Sequence, residues 1–270
     1  MPLIEGRVLA RRPLPPDGAV ITVEVDEGLA LEPFQFCMLS VPDDAGFPFV
    51  PRPFSVYDAG PRSYDFLLKV VGPGTASLAD VPLGGEVRVA GPLGKGVSSF
   101  VPGRRPIGVA GGVGIAPFLL LYRQWVAGEI GPADAKPLLI YGARSAEFLY
   151  DLDLFEGLPI EVRVCTDDGS AGRKGRVTDV LADALAEGPA DVMACGPDPM
   201  MIAVARLCAE QNVPCRLSLE TFMACGYGVC NACAVKCPDD RYREGHRFDR
   251  ACVDGPVFDA ATLELAALGH

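Results

Sequence analysis

The chain has 270 residues, 49% of them apolar and 22% charged, with a formal net charge of −11. That length exceeds the roughly 250 residues a single core usually fills, so more than one domain is expected, and the acidic balance offers no basic face for nucleic acid. No stretch approaches the roughly 18 apolar residues of a membrane span, and MPLIEGRVLARRPLPP lacks the apolar core and cleavage site of a secretory signal, so the ten cysteines are expected to stay reduced, in the cytoplasm.

From Leu3 to about Phe100, short apolar stretches alternate with Pro and Gly: GAVITVEV, FQFCMLSV, RPFSVYDA, YDFLLKVVG and GGEVRVAGPLG. Short strands at close spacing with turn residues between them predict an antiparallel barrel over residues 1–101. The texture changes at PGRRP, Pro102 to Pro106. Beyond it IGVAGG, PLLIYGAR, IEVRVCTDDG, DVMACG and PCRLSLE read as strands, and IAPFLLLYRQWVAG, VTDVLADALAEG and DPMMIAVARLCAEQ as helices. Strands alternating with helices predict a parallel α/β sheet wound on both faces over 102–219. The segment 220–270 shows too little regular pattern to fold on a core of its own, and DDRYREGHRF within it reads as a surface hairpin.

Four motifs carry chemistry in chain order. RPFS, Arg52 to Ser55, puts a guanidinium suited to a diphosphate near a hydroxyl able to bond a ring edge. LLKVVGPGT, Leu67 to Thr75, supplies a strand ending in a glycine turn with a hydroxyl, a second phosphate cradle. GGVGIAPF, Gly111 to Phe118, leaves a strand and opens a helix, where backbone N–H groups face a pyrophosphate; Pro117 stands where the dinucleotide fingerprint has its third glycine. Cys195, Gly196 and Pro197 form a second such turn at the same sheet edge. Each alone is also an ordinary turn or strand, and the pair of turns is more specific than either.

With these motifs the chain, from about Leu3 to Glu220, resembles the ferredoxin reductase superfamily, in which a flavin-binding barrel carrying Arg-Pro-x-Ser precedes a nicotinamide-binding domain carrying Gly-Gly-x-Gly-x-x-Pro and Cys-Gly-Pro. The resemblance implies that Arg52, Pro53, Phe54, Ser55, Leu67, Leu68, Lys69, Gly74 and Thr75 bind FAD. It implies likewise that Gly111, Gly112, Gly114, Pro117, Cys195, Gly196 and Pro197 hold NAD. Lys69 stands where close relatives carry Arg.

Cys225, Cys230 and Cys233 are spaced C-x4-C-x2-C, the plant-ferredoxin spacing for a 2Fe-2S cluster, which needs a fourth thiolate from further along, Cys237 or Cys252. A structural zinc is the rival, but zinc ribbons show two paired knuckles, whereas Gly226 and Gly228 suit a loop whose N–H groups bend toward sulfides. His246 and His270 lack the spacing of a Rieske centre, and a disulfide framework does not suit the compartment. Cys252 is taken as the fourth ligand, because Cys237 would crowd the same loop and because the resemblance uses a cysteine before DGPVF; Cys237 is then a bystander.

LETFMACGYGVCNACAVKC and CVDGPVF are similar to the electron-transfer subunits of NAD-dependent dihydroorotate dehydrogenases over nearly the full chain, although the stretch between Cys233 and Cys252 is longer than that group leads one to expect. The resemblance implies an FMN-containing catalytic partner in a two-plus-two heterotetramer, with electrons passing through the cluster and FAD to NAD. Related subunits serve sulfide dehydrogenases, sulfhydrogenases and ferredoxin:NADP oxidoreductases. Arg144, after LLIYGAR, is the candidate for a 2′-phosphate if the nucleotide is NADP. No acid–base dyad is apparent, so no catalytic residue is expected in this chain, and hydride transfer needs none. A non-catalytic flavin and iron–sulfur redox sensor is the reading from another class.

Overall fold

The computed structural model describes residues 3–25, 30–42, 50–131 and 136–268; His270 lies outside them. The first half of the chain runs β1 (Leu3–Leu14), β2 (Gly18–Glu24), β3 (Phe36–Ser40), β4 (Arg52–Ser55), β5 (Asp58–Gly60), β6 (Ser63–Lys69), helix α1 (Pro73–Asp80) and β7 (Glu86–Leu93). The seven strands form one antiparallel sheet in the order β4-β3-β7-β1-β2-β6-β5. Alternation builds it: Tyr64, Phe66 and Leu68 of β6 pack inward with Ile21 and Val23 of β2 and Val87 and Val89 of β7, while Leu67 and Val20 face the other way into a second apolar cluster. The expected glycine turn after β6 is instead the start of α1. Thr75 Oγ accepts the N–H groups of Val71 (2.9 Å) and Gly72 (3.1 Å), which satisfies donors that otherwise lack a partner at a helix start.

The second half runs β8 (Arg105–Gly111), α2 (Ala116–Val126), β9 (Leu138–Ala143), α3 (Leu152–Glu156), β10 (Glu161–Thr166), β11 (Arg173–Lys174), α4 (Val177–Leu185), β12 (Ala190–Cys195), α5 (Asp198–Glu210) and β13 (Cys215–Ser218). These strands lie parallel in the order β11-β10-β9-β8-β12-β13. Phe118, Leu119 and Tyr122 of α2 cover one face against Ala110, Leu139 and Tyr141; Val180 and Leu181 of α4 and Val204 of α5 cover the other against Ile107, Val109 and Val192. The two halves are bolted together. Arg12 donates twice to Asp151 at 2.6 Å, the Tyr57 hydroxyl donates to the same carboxylate at 2.8 Å, and Arg123 pairs with Asp58 at 2.7 Å.

The last fifty residues do not stand apart. β14 (Ala234–Pro238) and β15 (His246–Arg250) form the expected hairpin, and β16 (Val257–Asp259) then returns to pair antiparallel with β13, completing the second sheet. Lys95 and Leu219 donate to the Gly255 and Pro256 carbonyls (2.6 and 2.9 Å), which pins this return between the two halves. Among the described residues no helix is long and apolar enough to cross a membrane.

Candidate functional site

Strands β8 and β12 are neighbours, with Cys195 opposite Ala110, so both glycine turns emerge side by side at the C-terminal edge of the sheet. They lean on each other. A Cβ on Gly114 would lie 2.4 Å from the Cys195 carbonyl oxygen, and one on Gly111 would lie 2.5 Å from Met200 Sδ. Gly112 is different: at φ +53° it has nothing within 4 Å of a Cβ position, so its backbone faces open space, and the Tyr141 hydroxyl holds its carbonyl at 3.1 Å. Three of the four glycines expected to make room for phosphate thus serve first to let the turns meet, since Gly196 is itself packed on the Gly111 backbone.

A cavity of about 510 Å³ opens over these turns, walled by Gly111, Gly112, Gly196 and Pro197 on one side and by Arg144, Phe148 and Asp167 on the other. A second cavity, about 320 Å³, lies between barrel and sheet, walled by Pro53, Phe54, Ser55, Leu67 and Thr75 from the barrel and by Pro117 and Cys195 from the sheet. Lys69, Val113 and Glu220 line both. Two adjoining cavities of ligand size with a shared wall can hold two flat rings against one another. The Thr221 hydroxyl, on the wall of the smaller cavity, is buried with no partner among the described residues, and such an orphaned group fits the polar edge of a flavin ring.

Not every expected residue reaches these cavities. The Arg52 guanidinium donates to the Val50 carbonyl at 2.6 Å and is in neither wall. The Leu68 side chain is in the barrel core, leaving only its backbone available, and Gly74 and Gly114 line neither cavity. Arg144 lies with its guanidinium carbon 4.6 Å from the centre of the Phe148 ring, and Lys69 is 3.7 Å from Asp17. Sequence reasoning missed Glu220 and Met223. The only signal was their place between the last parallel strand and the first cysteine. The Glu220 side chain is exposed where it opens onto the cavities, yet the protein packed around it pushes its carboxyl up; Asp198 adds to this and Lys69 opposes it. Burial likewise raises the Cys195 thiol.

The cysteine loop sits directly on the barrel, with Gly226 so close to β3 that a Cβ would come 2.5 Å from Met38 Cγ. The Cys233 thiol donates to the Cys252 sulfur at 3.1 Å, and Ala251 N–H donates to the Cys233 carbonyl at 2.9 Å. Burial disfavours the Cys225 thiolate, but the backbone N–H groups of Cys230, Tyr227 and Val229 turn toward its sulfur and bring the thiol down to about 6. Cys252 is pushed up to about 12 by burial and by Cys233, against the pull of the Gly228 N–H. Thiolate-favouring amides on a loop that meets a second pair of buried thiols suit an anionic iron–sulfur group. Cys237, fully buried in the same cluster as Cys233 and Cys252, donates to Asp249 Oδ2 at 3.5 Å, and burial pushes it up to about 11. Among the described residues no group of three or more His, Cys, Asp or Glu side chains closes around a single metal ion. Met223, Phe36 and Leu219 line the smaller cavity and belong to the same large apolar cluster as Cys233 and Cys252.

Sequence and fold are similar to those of known proteins. Residues 220–264 match the iron-sulfur cluster binding domain of dihydroorotate dehydrogenase B, and 109–206 match the oxidoreductase NAD-binding domain. A protein of Caldanaerobacter subterraneus subsp. tengcongensis, named dihydroorotate dehydrogenase B (NAD(+)), electron transfer subunit, is 38% identical over 94% of this chain and 96% of its own. One of the same name from Clostridium acetobutylicum is 35% identical over 87% of each. Among solved structures, an NADH-dependent reduced ferredoxin-NADP oxidoreductase superposes with a TM-score of 0.82 at 28% identity, covering 97% of this chain and 91% of that one. The ferredoxin reductase of carbazole 1,9a-dioxygenase superposes with a TM-score of 0.67 at 25% identity, covering 79% and 67%.

Proposed function

Because the chain belongs to the family of electron transfer subunits of dihydroorotate dehydrogenase B (NAD(+)), we propose that it relays electrons between a dihydroorotate-oxidising partner subunit and NAD, through a 2Fe-2S cluster and FAD. The observation that carries this reading is the chain of adjoining sites: nucleotide cavity, barrel-side cavity, Met223, cysteine loop. A bound flavin exchanges a hydride with nicotinamide and single electrons with a cluster, which makes it the converter between the two.

The residues divide the work as follows. Gly112 and the Gly196–Pro197 turn would receive the nucleotide's pyrophosphate, and Pro53, Phe54, Ser55, Leu67 and Thr75 would hold the flavin, with Lys69 and Glu220 in the wall that the two cavities share. Arg52, whose guanidinium donates to the Val50 carbonyl, would supply the cation for the flavin diphosphate. Cys225, Cys230, Cys233 and Cys252 ligate the cluster, and Cys237 does not. In this reading 1–101, 102–219 and 220–270 are the FAD, NAD and cluster parts, the last tied into the second by β16. The partner carries FMN, the assembly is two plus two, and it works in the cytoplasm, where thiols stay reduced.

The test is anaerobic: the tagged chain is purified with its companions, dihydroorotate is added, and flavin and cluster absorbance are followed. Bleaching, with colour returning on NAD, is expected. The solved oxidoreductase that superposes over nearly the whole chain favours a second reading, exchange with a ferredoxin. That reading takes over if NADH bleaches the sample and dihydroorotate does not.

A further inference from the structure

The cysteine loop turns at Gly228, where φ is +86°. Its carbonyl accepts a hydrogen bond from Arg250 Nη1 at 3.0 Å. Arg250 ends β15, two residues before Cys252, and is held in turn by Asp254, whose Oδ2 accepts the Arg250 backbone N–H at 2.9 Å and lies 3.5 Å from Nε. A Cβ on residue 228 would stand 3.2 Å from Arg250 Nη1 and 2.7 Å from Val253 Cγ2, so glycine here also gives the guanidinium its way in. The peptide unit whose oxygen Arg250 grips carries the Val229 N–H on its opposite side, and that N–H turns toward the Cys225 sulfur. In a trans peptide the C=O and N–H point in opposite directions. A cation on the oxygen therefore aims the N–H at the sulfur and polarises it.

We propose that Arg250 is a positioning residue for the cluster: through the Gly228–Val229 peptide it orients and strengthens a hydrogen bond to the Cys225 thiolate, and its charge, partly offset by Asp254, keeps the cluster's reduction potential up. The proposal rests on the cluster reading given above. Reduction adds negative charge to the cluster, and donors and cations beside its sulfurs stabilise the reduced form more than the oxidised one. The guanidinium is partly open to solvent, at 39% exposure of its side chain, which weakens but does not remove the effect of its charge.

The test uses the holoprotein with Arg250→Gln, Arg250→Lys and Asp254→Asn, and reads iron content, the electron paramagnetic resonance spectrum and the midpoint potential from a redox titration. Arg250→Gln is expected to lower the potential, so that at the wild-type midpoint the ratio of reduced to oxidised cluster falls several-fold. Arg250→Lys is expected to recover most of that loss, and Asp254→Asn to shift the potential the other way. Less iron with an unshifted potential in the clusters that remain would mean a purely structural role and would overturn the proposal. Should Arg250→Gln hold no iron at all, the direction of the Asp254→Asn shift decides. A wild-type protein with no two-iron signal would remove the cluster reading itself; a wild-type signal with no shift in Arg250→Gln or Asp254→Asn removes only the role of Arg250.

Discussion

Gly114→Ala isolates the contact between the two glycine turns. The added carbon would lie 2.4 Å from the Cys195 carbonyl oxygen and 2.6 Å from the Cys195 carbonyl carbon and Gly196 Cα, all backbone atoms, whereas ordinary contact begins at 3.4 Å. No side chain can swing aside, so the turns must part by about 1 Å, a change that close-packed interiors resist. Overpacking of this kind costs about 1–3 kcal/mol, and each kcal/mol lowers the melting temperature of a protein this size by about 2–4 °C. The displaced turns flank the nucleotide cavity, and a misplacement of about 1 Å between reacting groups can cost about 10²-fold in rate. The assay is NADH-dependent reduction of ferricyanide, normalised to bound flavin, beside a thermal melt. The expected result is a lower melting temperature with a loss of NADH turnover approaching that factor. Wild-type values for both would refute the claim that the turns are coupled through this glycine.

Asp151→Ala removes the acceptor of Arg12 and of the Tyr57 hydroxyl at the junction of barrel and sheet; it is expected to cost about 1–3 kcal/mol of stability, read from denaturant unfolding. Cys252→Ala is expected to lose the iron and the cluster absorbance, while Cys237→Ala keeps both. In iron-free protein, iodoacetamide labelling followed by mass spectrometry is expected to find Cys225 modified with a midpoint near pH 6, because its thiolate fraction rises as pH passes the depressed value. Cys252, pushed up to about 12, stays unlabelled at neutral pH.

The parallel sheet was legible because its strands are buried on both faces and read as unbroken apolar runs, such as β9, LLIYGA. β1 was not: LIEGRVLARRPL alternates buried Gly6 and Val8 with exposed charged neighbours, and neither face of it reads as a core strand. α1 was hidden for a local reason, since Gly72, Pro73 and Gly74 spell a turn while Thr75 starts a helix from within it. Of the site, the approach of Cys252 to Cys233 was readable from spacing together with the DGPVF motif after Cys252. Residues such as Glu220 and Met223 acquire meaning only when barrel and sheet close around them, and no spacing in the chain records that. The inward face of Leu68 follows from register, which one residue of slip would have reversed.

The return of β16 to β13 makes the cysteine segment a stitch with both ends sewn into one fabric. A truncation at Glu220 would do more than delete the cysteine loop. It would unpair Arg216, Leu217 and Ser218 along their outer side and leave a bare strand margin open to other chains. Exchanging the cluster unit between relatives therefore calls for a cut upstream of Cys215, so that the margin and its cover travel together and the recipient inherits a finished edge.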